Sequence, residues 1–245
     1  MSDRSSIEWT DATWNPVRGC TKVSPGCRHC YAETFSERFR GVRGHPFENG
    51  FDLTLVPEKL HEPLGWKKPR RIFVNSMSDL FHEAIPISYI EKVFGIMTEA
   101  NWHTFQILTK RSRRLVDLSG KLPWPSNVWM GVSVESAPFA SRVLDLARVP
   151  ARVRFLSVEP LVGPIPRLPL DDVDWVIVGG ESGPRARPME LRWACDIRDQ
   201  CRRAGVPFFL KQLGGRRWKQ GGDSAVLDGR RWRQLPVKSV MALAR

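Results

Sequence analysis

The chain has 245 residues and a formal net charge of +12, from 38 Lys and Arg against 26 Asp and Glu. A hydrophobic content of 42% with ten Trp excludes an intrinsically disordered chain, and no apolar stretch reaches the ~20 residues that span a bilayer. The first residues lack the apolar segment of a signal peptide, so we expect a cytoplasmic protein with no membrane partner. The excess of positive charge favours nucleic acid as a partner; the alternative is a cationic surface that serves solubility alone.

Three cysteines near the start of the chain, Cys20, Cys27 and Cys30, are the first residues with a clear chemical meaning. Thiolates bind zinc or iron–sulfur clusters in preference to hard cations, and a short loop can gather three of them around one centre. We therefore expect a metal centre, and a 4Fe–4S cluster held by three cysteines leaves one iron open for chemistry. The alternatives are structural zinc, with His29 or His45 as a further ligand, and a redox dithiol formed by Cys27 and Cys30.

Short apolar runs that end in polar residues predict six β-strands separated by helices or turns. The runs begin near Arg71, Thr104, Val128, Arg154, Asp174 and Val206, with weaker ones near Trp14 and at residues 52–56. Helices are predicted after Pro86, over residues 139–147 and 191–204, and directly after the cysteines, where Tyr31, Phe35 and Phe39 step by four and are expected in the core. The alternation predicts an α/β fold: a single-domain, TIM-like βα barrel, complete or partial, over residues 1–212.

Residues 213–245 are predicted to form a short basic appendage to this barrel. Residues 214–222 are rich in Gly and cationic side chains, which is typical of a flexible loop. Asp228-Gly229 lies between two short runs and is the signal of a β-hairpin. We expect this hairpin to pack on the barrel instead of forming an independent domain.

Polar residues at the predicted strand ends are candidates for a functional site, because the carboxyl ends of barrel strands meet at the rim that carries the active site. The neutral and acidic candidates are Asn75, Ser133, Glu135, Glu159, Glu181 and Gln212. Cations near strand ends or in basic loops, one of them beside an aromatic ring, suit phosphates and stacked bases. These nucleic-acid candidates are Lys110, Arg111, Arg113, Arg114, Arg185, Arg187, Lys211, Arg216, Arg217 and Trp218. A solvated charged surface is the alternative for each.

Long ordered strings also carry a resemblance to a known family. They are WNPVRGCTKVSPGCRHCYAE, IFVNSMSDLFH, FQILTKR, GVSVES, FLSVEPL, WVIVGGESG and PFFLKQLGG. Over residues 9–236 the chain resembles the phage Gp37/Gp68 family, a domain of unknown function found in phages and bacteria. That family is similar to radical S-adenosylmethionine enzymes, which use a partial βα barrel and a three-cysteine 4Fe–4S cluster. Their usual spacing is C-x3-C-x2-C, whereas the first gap here has six residues and His29 precedes Cys30.

The resemblance implies that Cys20, Cys27 and Cys30 hold a 4Fe–4S cluster, with S-adenosylmethionine as the further cofactor. The three carboxylates at the rim are then expected to bind ribose hydroxyls or a cationic group, and the three neutral side chains adenine or base edges. We predict a radical-S-adenosylmethionine-like iron–sulfur protein that binds or acts on nucleic acid, with single-stranded or damaged DNA as the preferred class, in repair or modification. A non-catalytic iron–sulfur protein that binds single-stranded DNA and a structural zinc protein are the alternatives.

Overall fold

The computed structural model describes residue 5, residues 7–216 and residues 225–236. The chain divides into two compact units, of which the first comprises residues 1–129 and 150–152 and the second residues 130–149 and 153–245. Within the described part of the chain, no helix combines the length and apolar character needed to cross a membrane.

The first unit contains five strands and three α-helices. The strands are β1 (Ala12–Trp14), β2 (Val17–Arg18), β3 (Thr54–Leu55), β4 (Arg71–Val74) and β5 (Thr104–Thr109), and the helices are α1 (Tyr31–Ser36), α2 (Ile87–Glu99) and α3 (Ser112–Ser119). Three of the strands, β1, β4 and β5, pair in parallel. Short 3-10 helices span Pro25–Cys27, Glu37–Phe39, Pro57–Lys59 and Glu62–Gly65. Parallel pairing places Trp14 opposite Val74 and Val74 opposite Ile107. The two short strands β2 and β3 pair separately and antiparallel.

Helix α2 shows how the apolar pattern of this unit becomes a core. Ile90, Val93, Phe94 and Met97 recur at helical spacing and are fully buried. Pro86 stands directly before the helix, where its lack of an N–H leaves no bond unmade. Each buried side chain of this size contributes about 1.5–3 kcal/mol through removal of apolar surface from water.

The second unit also contains parallel strands. Strand β6 (Val128–Ser133) begins at its boundary and is followed by α4 (Ser141–Ala147), β7 (Val153–Val158), β8 (Trp175–Gly179), α5 (Leu191–Ala204), β9 (Phe208–Gln212), β10 (Val226–Leu227) and β11 (Arg230–Arg231), with a 3-10 helix at Ala137–Phe139. Val178 lies opposite Val158 on one side and Leu210 on the other. Every residue of β8 is buried, as expected for a strand covered on both faces.

Two turns in this unit follow directly from residue type. Gly205 ends α5 with φ of +68°, the left-handed conformation that glycine adopts at little cost. Asp228 and Gly229 have φ of 50° and 71° and connect the antiparallel strands β10 and β11, the geometry of a two-residue hairpin. The domain boundary expected at residue 212 stays a prediction.

The expectation of a TIM-like βα barrel is wrong. The main sheet has seven strands in the order β1-β4-β5-β6-β7-β8-β9, whereas a βα barrel repeats a strand followed by a helix eight times. The segment of the described chain between β7 and β8 contains no helix. Its four prolines, Pro160, Pro164, Pro166 and Pro169, lack the backbone N–H that a helix interior requires. The spacing of the strands in the sequence correctly indicated an α/β protein. It did not show which of the segments that connect the strands contain a helix.

Candidate functional site

The loop that carries the three cysteines is fixed at the carboxyl end of β4. The backbone N–H of Gly19 donates to the carbonyl oxygen of Met77 at 3.0 Å, and that of Cys20 donates to Phe51 at 3.2 Å. Gly19 has φ of +77°, and a Cβ at this position would overlap the carbonyl group of Asp52. Only glycine satisfies both conditions, so the sequence Gly19-Cys20 sets where the loop begins.

The three thiols of this loop are neighbours. Burial raises the pKa of Cys20 to about 12, and the carboxylate of Asp79 and the other two thiols add to that effect. Burial also raises the pKa of Cys30, while two backbone N–H groups in the first turn of α1 act in the opposite direction. In the described chain, no three His, Cys, Asp or Glu side chains are arranged closely enough to hold a metal ion. The thiols therefore share one loop without forming a ready coordination sphere.

A buried arginine lies against the same loop. The side chain of Arg111 is 2% exposed, and its Nη2 donates to Thr21 O at 3.1 Å, to Thr21 Oγ1 at 2.9 Å and to Cys20 Sγ at 3.7 Å. Its Nε lies 3.2 Å from Glu83 Oε2, whereas its buried Nη1 has no hydrogen-bond partner among the described residues. A buried guanidinium with an unmade hydrogen bond is costly unless an anion completes it. The donor set of soft thiols beside a buried cation therefore fits an anionic metal–thiolate group.

Two of the histidines bear on the zinc alternative. His29 has a buried Nδ1 with no hydrogen-bond partner among the described residues. His45 stacks on Phe39 with ring centroids 3.8 Å apart, and its Nδ1 accepts the N–H of Phe47 at 3.1 Å. His29 thus retains a nitrogen for a ligand, whereas His45 is engaged in local contacts.

Asp79, in the segment that follows β4, has a structural role that the sequence did not reveal. Its carboxylate accepts hydrogen bonds from Thr109 Oγ1 at 2.7 Å, from the Lys110 N–H at 3.1 Å and from the Phe81 N–H at 3.0 Å. These bonds tie the end of β4 to the end of β5 and so position the segment that carries Arg111. Its place after a predicted strand already makes Asp79 a polar candidate, but its partners Thr109 and Lys110 lie 30 and 31 positions away, so no local pattern could name them.

Asn75 also lies at the end of β4, where its φ is 57°. It is 3% exposed, and its Oδ1 accepts the N–H of Val17 at 3.3 Å. Its Nδ2 is buried and has no hydrogen-bond partner among the described residues. Of the six cofactor candidates, Asn75 is the one that belongs to the unit containing the cysteines.

In the second unit, Glu135 forms a buried ion pair that the sequence did not indicate. Its side chain is 0% exposed and its carboxylate accepts a hydrogen bond from Arg142 Nη1 at 2.8 Å. The same Nη1 donates to the carbonyl oxygen of Ser133 at 2.7 Å, and the guanidinium stacks over the Phe139 ring at 4.5 Å from its centroid. Glu135 and Ser133 are therefore joined by an arginine that no motif singled out.

In the second unit, two of the cofactor candidates, Glu159 and Gln212, contact one of the nucleic-acid candidates, Lys211. Lys211 Nζ donates to both carboxylate oxygens of Glu159, at 2.7 and 2.8 Å. Gln212 Nε2 donates to the same carboxylate at 2.7 Å, and Gln212 Oε1 accepts from Ser182 Oγ at 2.6 Å. The Glu159 and Lys211 side chains are 17% and 24% exposed, so solvent reaches this Glu–Lys–Gln–Ser cluster.

The family of the chain follows from a match over nearly its whole length. Residues 4–236 match the family described as "Protein of unknown function (DUF5131)". The chain belongs to this family. Comparison of this chain with the curated proteins and with the solved structures found no match.

The cationic candidates of this DUF5131 chain differ in how freely they can meet a phosphate. Arg187 is bound by Glu181 through hydrogen bonds of 2.7 and 2.9 Å, and Arg114 Nη2 donates to the carbonyl oxygen of Ile85 at 2.7 Å. The exposed candidates are Arg113, Arg185 and Arg216. Arg217 and Trp218 lie outside the described residues.

Proposed function

We propose that Cys20, Cys27 and Cys30 bind a 4Fe–4S cluster and that the protein binds or acts on nucleic acid, with single-stranded or damaged DNA as the preferred class. The observation that carries the cluster is the contact of 3.7 Å between the buried guanidinium of Arg111 and Cys20 Sγ, a thiol that has Cys27 and Cys30 as electrostatic neighbours. Thiolate ligands select iron–sulfur or zinc, and a nearby buried cation offsets the negative charge that three thiolates bring. When bound, such a cluster supplies electron transfer, with an open iron for S-adenosylmethionine in the enzymatic form of the proposal.

The residues around the cysteines have defined roles in this proposal. Arg111 donates a hydrogen bond to Cys20 Sγ and holds Thr21, and Thr21 Oγ1 lies 2.9 Å from His82 Nε2. These contacts hold the start of the loop, at Cys20 and Thr21, against Arg111 and His82. The backbone N–H groups of Ala32 and Glu33 in α1 bond to Cys30 Sγ and partly offset the burial that raises the pKa of this thiol.

The nucleic-acid part of the proposal is supported by charge. The chain carries a formal net charge of +12, and three arginines among the candidates are exposed. Contacts between such side chains and phosphates release counterions, so that affinity falls steeply as salt rises. The resemblance to radical S-adenosylmethionine enzymes, which include lyases of DNA photoproducts, supports damaged DNA as a substrate class.

Serine variants of the cysteines test the cluster. Cys20→Ser, Cys27→Ser and Cys30→Ser, purified without oxygen, are each expected to lose the brown colour and visible absorption of an iron–sulfur protein. Cys195→Ser is the matched control, because Cys195 is half-buried on α5 and belongs to the other unit. Loss of colour in the control alone, or colour that survives in all three variants, contradicts the proposal. A colourless wild type that contains zinc identifies the structural zinc alternative.

Catalysis is tested separately from binding. Reduced, cluster-loaded protein mixed with S-adenosylmethionine is expected to release 5′-deoxyadenosine if the protein is an enzyme of this type. If repeated oxygen-free assays give no such product while oligonucleotide binding persists, the non-catalytic single-stranded DNA-binding alternative replaces the enzymatic one.

A further inference from the structure

The aromatic residues that follow the third cysteine are exposed, contrary to expectation. Their spacing of four predicts a buried helix face, yet Tyr31 is 48% exposed and Phe35 is 43% exposed, and Phe39 is half-buried. Helix α1 has only six residues. We call the surface formed by Tyr31, Phe35 and Phe39 the aromatic face. Exposed rings in such a group mark a surface that meets a partner more often than rings scattered singly do.

The rings of the aromatic face are held in place from behind. The Tyr31 hydroxyl donates to the backbone carbonyl of Ser76, and the Phe35 ring meets the edge of the buried Phe47 ring with centroids 5.6 Å apart. The centroids of Phe35 and Phe39 are 5.2 Å apart. Fixed rings lose little conformational freedom when a flat partner stacks on them, so the aromatic face is preorganised for stacking.

Arginines without a counter-charge lie near these rings in sequence. Arg28, Arg38 and Arg43 are exposed, and within the described chain none of the three forms an ion pair with a carboxylate. The acidic residues of the same segment are largely neutralised. Lys22 pairs with Glu33 at 2.8 Å, and Arg40 lies 2.6 Å from Glu37 and 2.9 Å from Asp52. Residues 20–52 hold five Lys and Arg against four Asp and Glu, so the segment combines open aromatic rings with three arginines that form no ion pair within the described chain.

We propose that the aromatic face binds single-stranded nucleic acid, with bases stacked on Tyr31 and Phe35 and phosphates against Arg28 and Arg38. This inference rests on the nucleic-acid part of the proposed function and deepens it by naming where the strand lies. A single strand offers free base faces to a ring, whereas the bases of a duplex are already stacked on one another. A protein partner of apolar character would not use these three arginines, so charge complementarity favours a polyanion.

Fluorescence anisotropy with a labelled single-stranded oligonucleotide, and with the duplex of the same sequence, tests this inference. Tyr31→Leu and Phe35→Leu keep apolar bulk without the flat ring, and each is expected to weaken single-strand binding by about tenfold. Tyr31→Phe keeps the ring and loses only the hydrogen bond of the hydroxyl to Ser76, so it is expected to bind more tightly than Tyr31→Leu. Arg28→Gln and Arg38→Gln are expected to lower the salt dependence of binding by about one phosphate contact each.

The controls separate loss of the face from general damage. Leu144→Ala and Leu191→Ala remove exposed apolar side chains, 59% and 51% exposed, from the second unit and are expected to leave binding unchanged. Iron content and melting temperature are measured for every variant, and wild-type values are expected for both.

The outcomes distinguish this inference from the function on which it rests. If the wild type binds no oligonucleotide, the nucleic-acid part of the proposed function fails. If the wild type binds and Tyr31→Leu and Phe35→Leu bind equally well, the inference alone is overturned. Equal losses on single strand and duplex also overturn it. So does a sedimentation experiment in which these variants break up a dimer while oligonucleotide affinity stays unchanged, because the face then joins two copies of the chain.

Discussion

Arg111 shows how much one residue can reveal about a loop. Its position at the end of a predicted strand marked it as a candidate for binding phosphate. The structure instead places its guanidinium in a buried site with hydrogen bonds to Thr21 and a contact of 3.7 Å to Cys20 Sγ. A sequence pattern locates such a residue on a strand but cannot state its partners, which here are about 90 positions away in the chain.

Replacing Arg111 is expected to change the redox properties of the proposed cluster. Arg111→Gln removes a cation and weakens a hydrogen bond to a ligand sulfur, and both changes disfavour the more negative, reduced cluster. The midpoint potential, measured by spectroelectrochemical titration, is therefore expected to fall. Arg113→Gln is the control, because Arg113 is exposed on the neighbouring helix α3. An Arg111→Gln protein with full iron content and an unchanged potential contradicts this role.

The buried ion pair of Glu135 and Arg142 is expected to stabilise the second unit because each buried charge is neutralised by the other. Glu135→Gln leaves a buried guanidinium without its counter-charge, which costs about 3–5 kcal/mol. Urea unfolding measures this loss, and Arg202→Gln, on the exposed side of α5, is expected to show almost none. The double variant Glu135→Leu, Arg142→Met is expected to recover much of the stability. If Glu135→Gln unfolds at the wild-type urea concentration, the pair has no such role.

Because His103 is buried, we expect the free energy of unfolding to fall in acid. Its Nδ1 accepts the N–H of Arg70 at 3.1 Å, and burial, foremost, lowers its pKa below 6.5. Because the folded-state pKa is below the unfolded value, the stabilisation is present above pH 6.5 and is lost as pH falls through the folded pKa. Urea unfolding between pH 5 and 8 is expected to show this decline for the wild type and a flatter profile for His103→Gln. Identical profiles contradict the assignment.

At the scale of elements, periodicity predicted most of the structure but not which faces are covered. The apolar runs that predicted strands correspond to β4 through β9, since a strand buried on both faces is apolar throughout. The step of four after Cys30 correctly indicated a helix but wrongly placed Tyr31 and Phe35 in the core. Amphipathic spacing says that one face differs from the other, and only the tertiary structure decides whether anything packs on it.

The cysteine loop supplies a prediction at the same scale. Gly19→Ala introduces a Cβ that overlaps the carbonyl of Asp52 at a φ of +77°, so the start of the loop must move. Iron content per chain after oxygen-free purification is expected to drop well below that of the wild type. Gly44→Ala is a matched control for positive φ, because Gly44 has φ of +76° with open space around its Cβ position. If both variants retain equal iron, the geometry of Gly19 does not set the loop.

For the whole molecule, the alternation of predicted strands and helices correctly indicated an α/β protein, and the polyanionic partner predicted from the excess of positive charge stays a prediction. The match to the DUF5131 family over residues 4–236 adds membership without a function. The sequence alone located the cysteines that the proposal depends on. It could not predict the ties around them, such as Asp79 to Thr109, because hydrogen bonds between strand ends leave no local pattern.

The most direct test of the central claim is the iron and acid-labile sulfide content of the wild-type protein purified without oxygen. The account predicts about four iron and four sulfide per chain, as a single 4Fe–4S cluster requires. A folded protein that contains neither iron nor sulfide, or that contains zinc in their place, would contradict it.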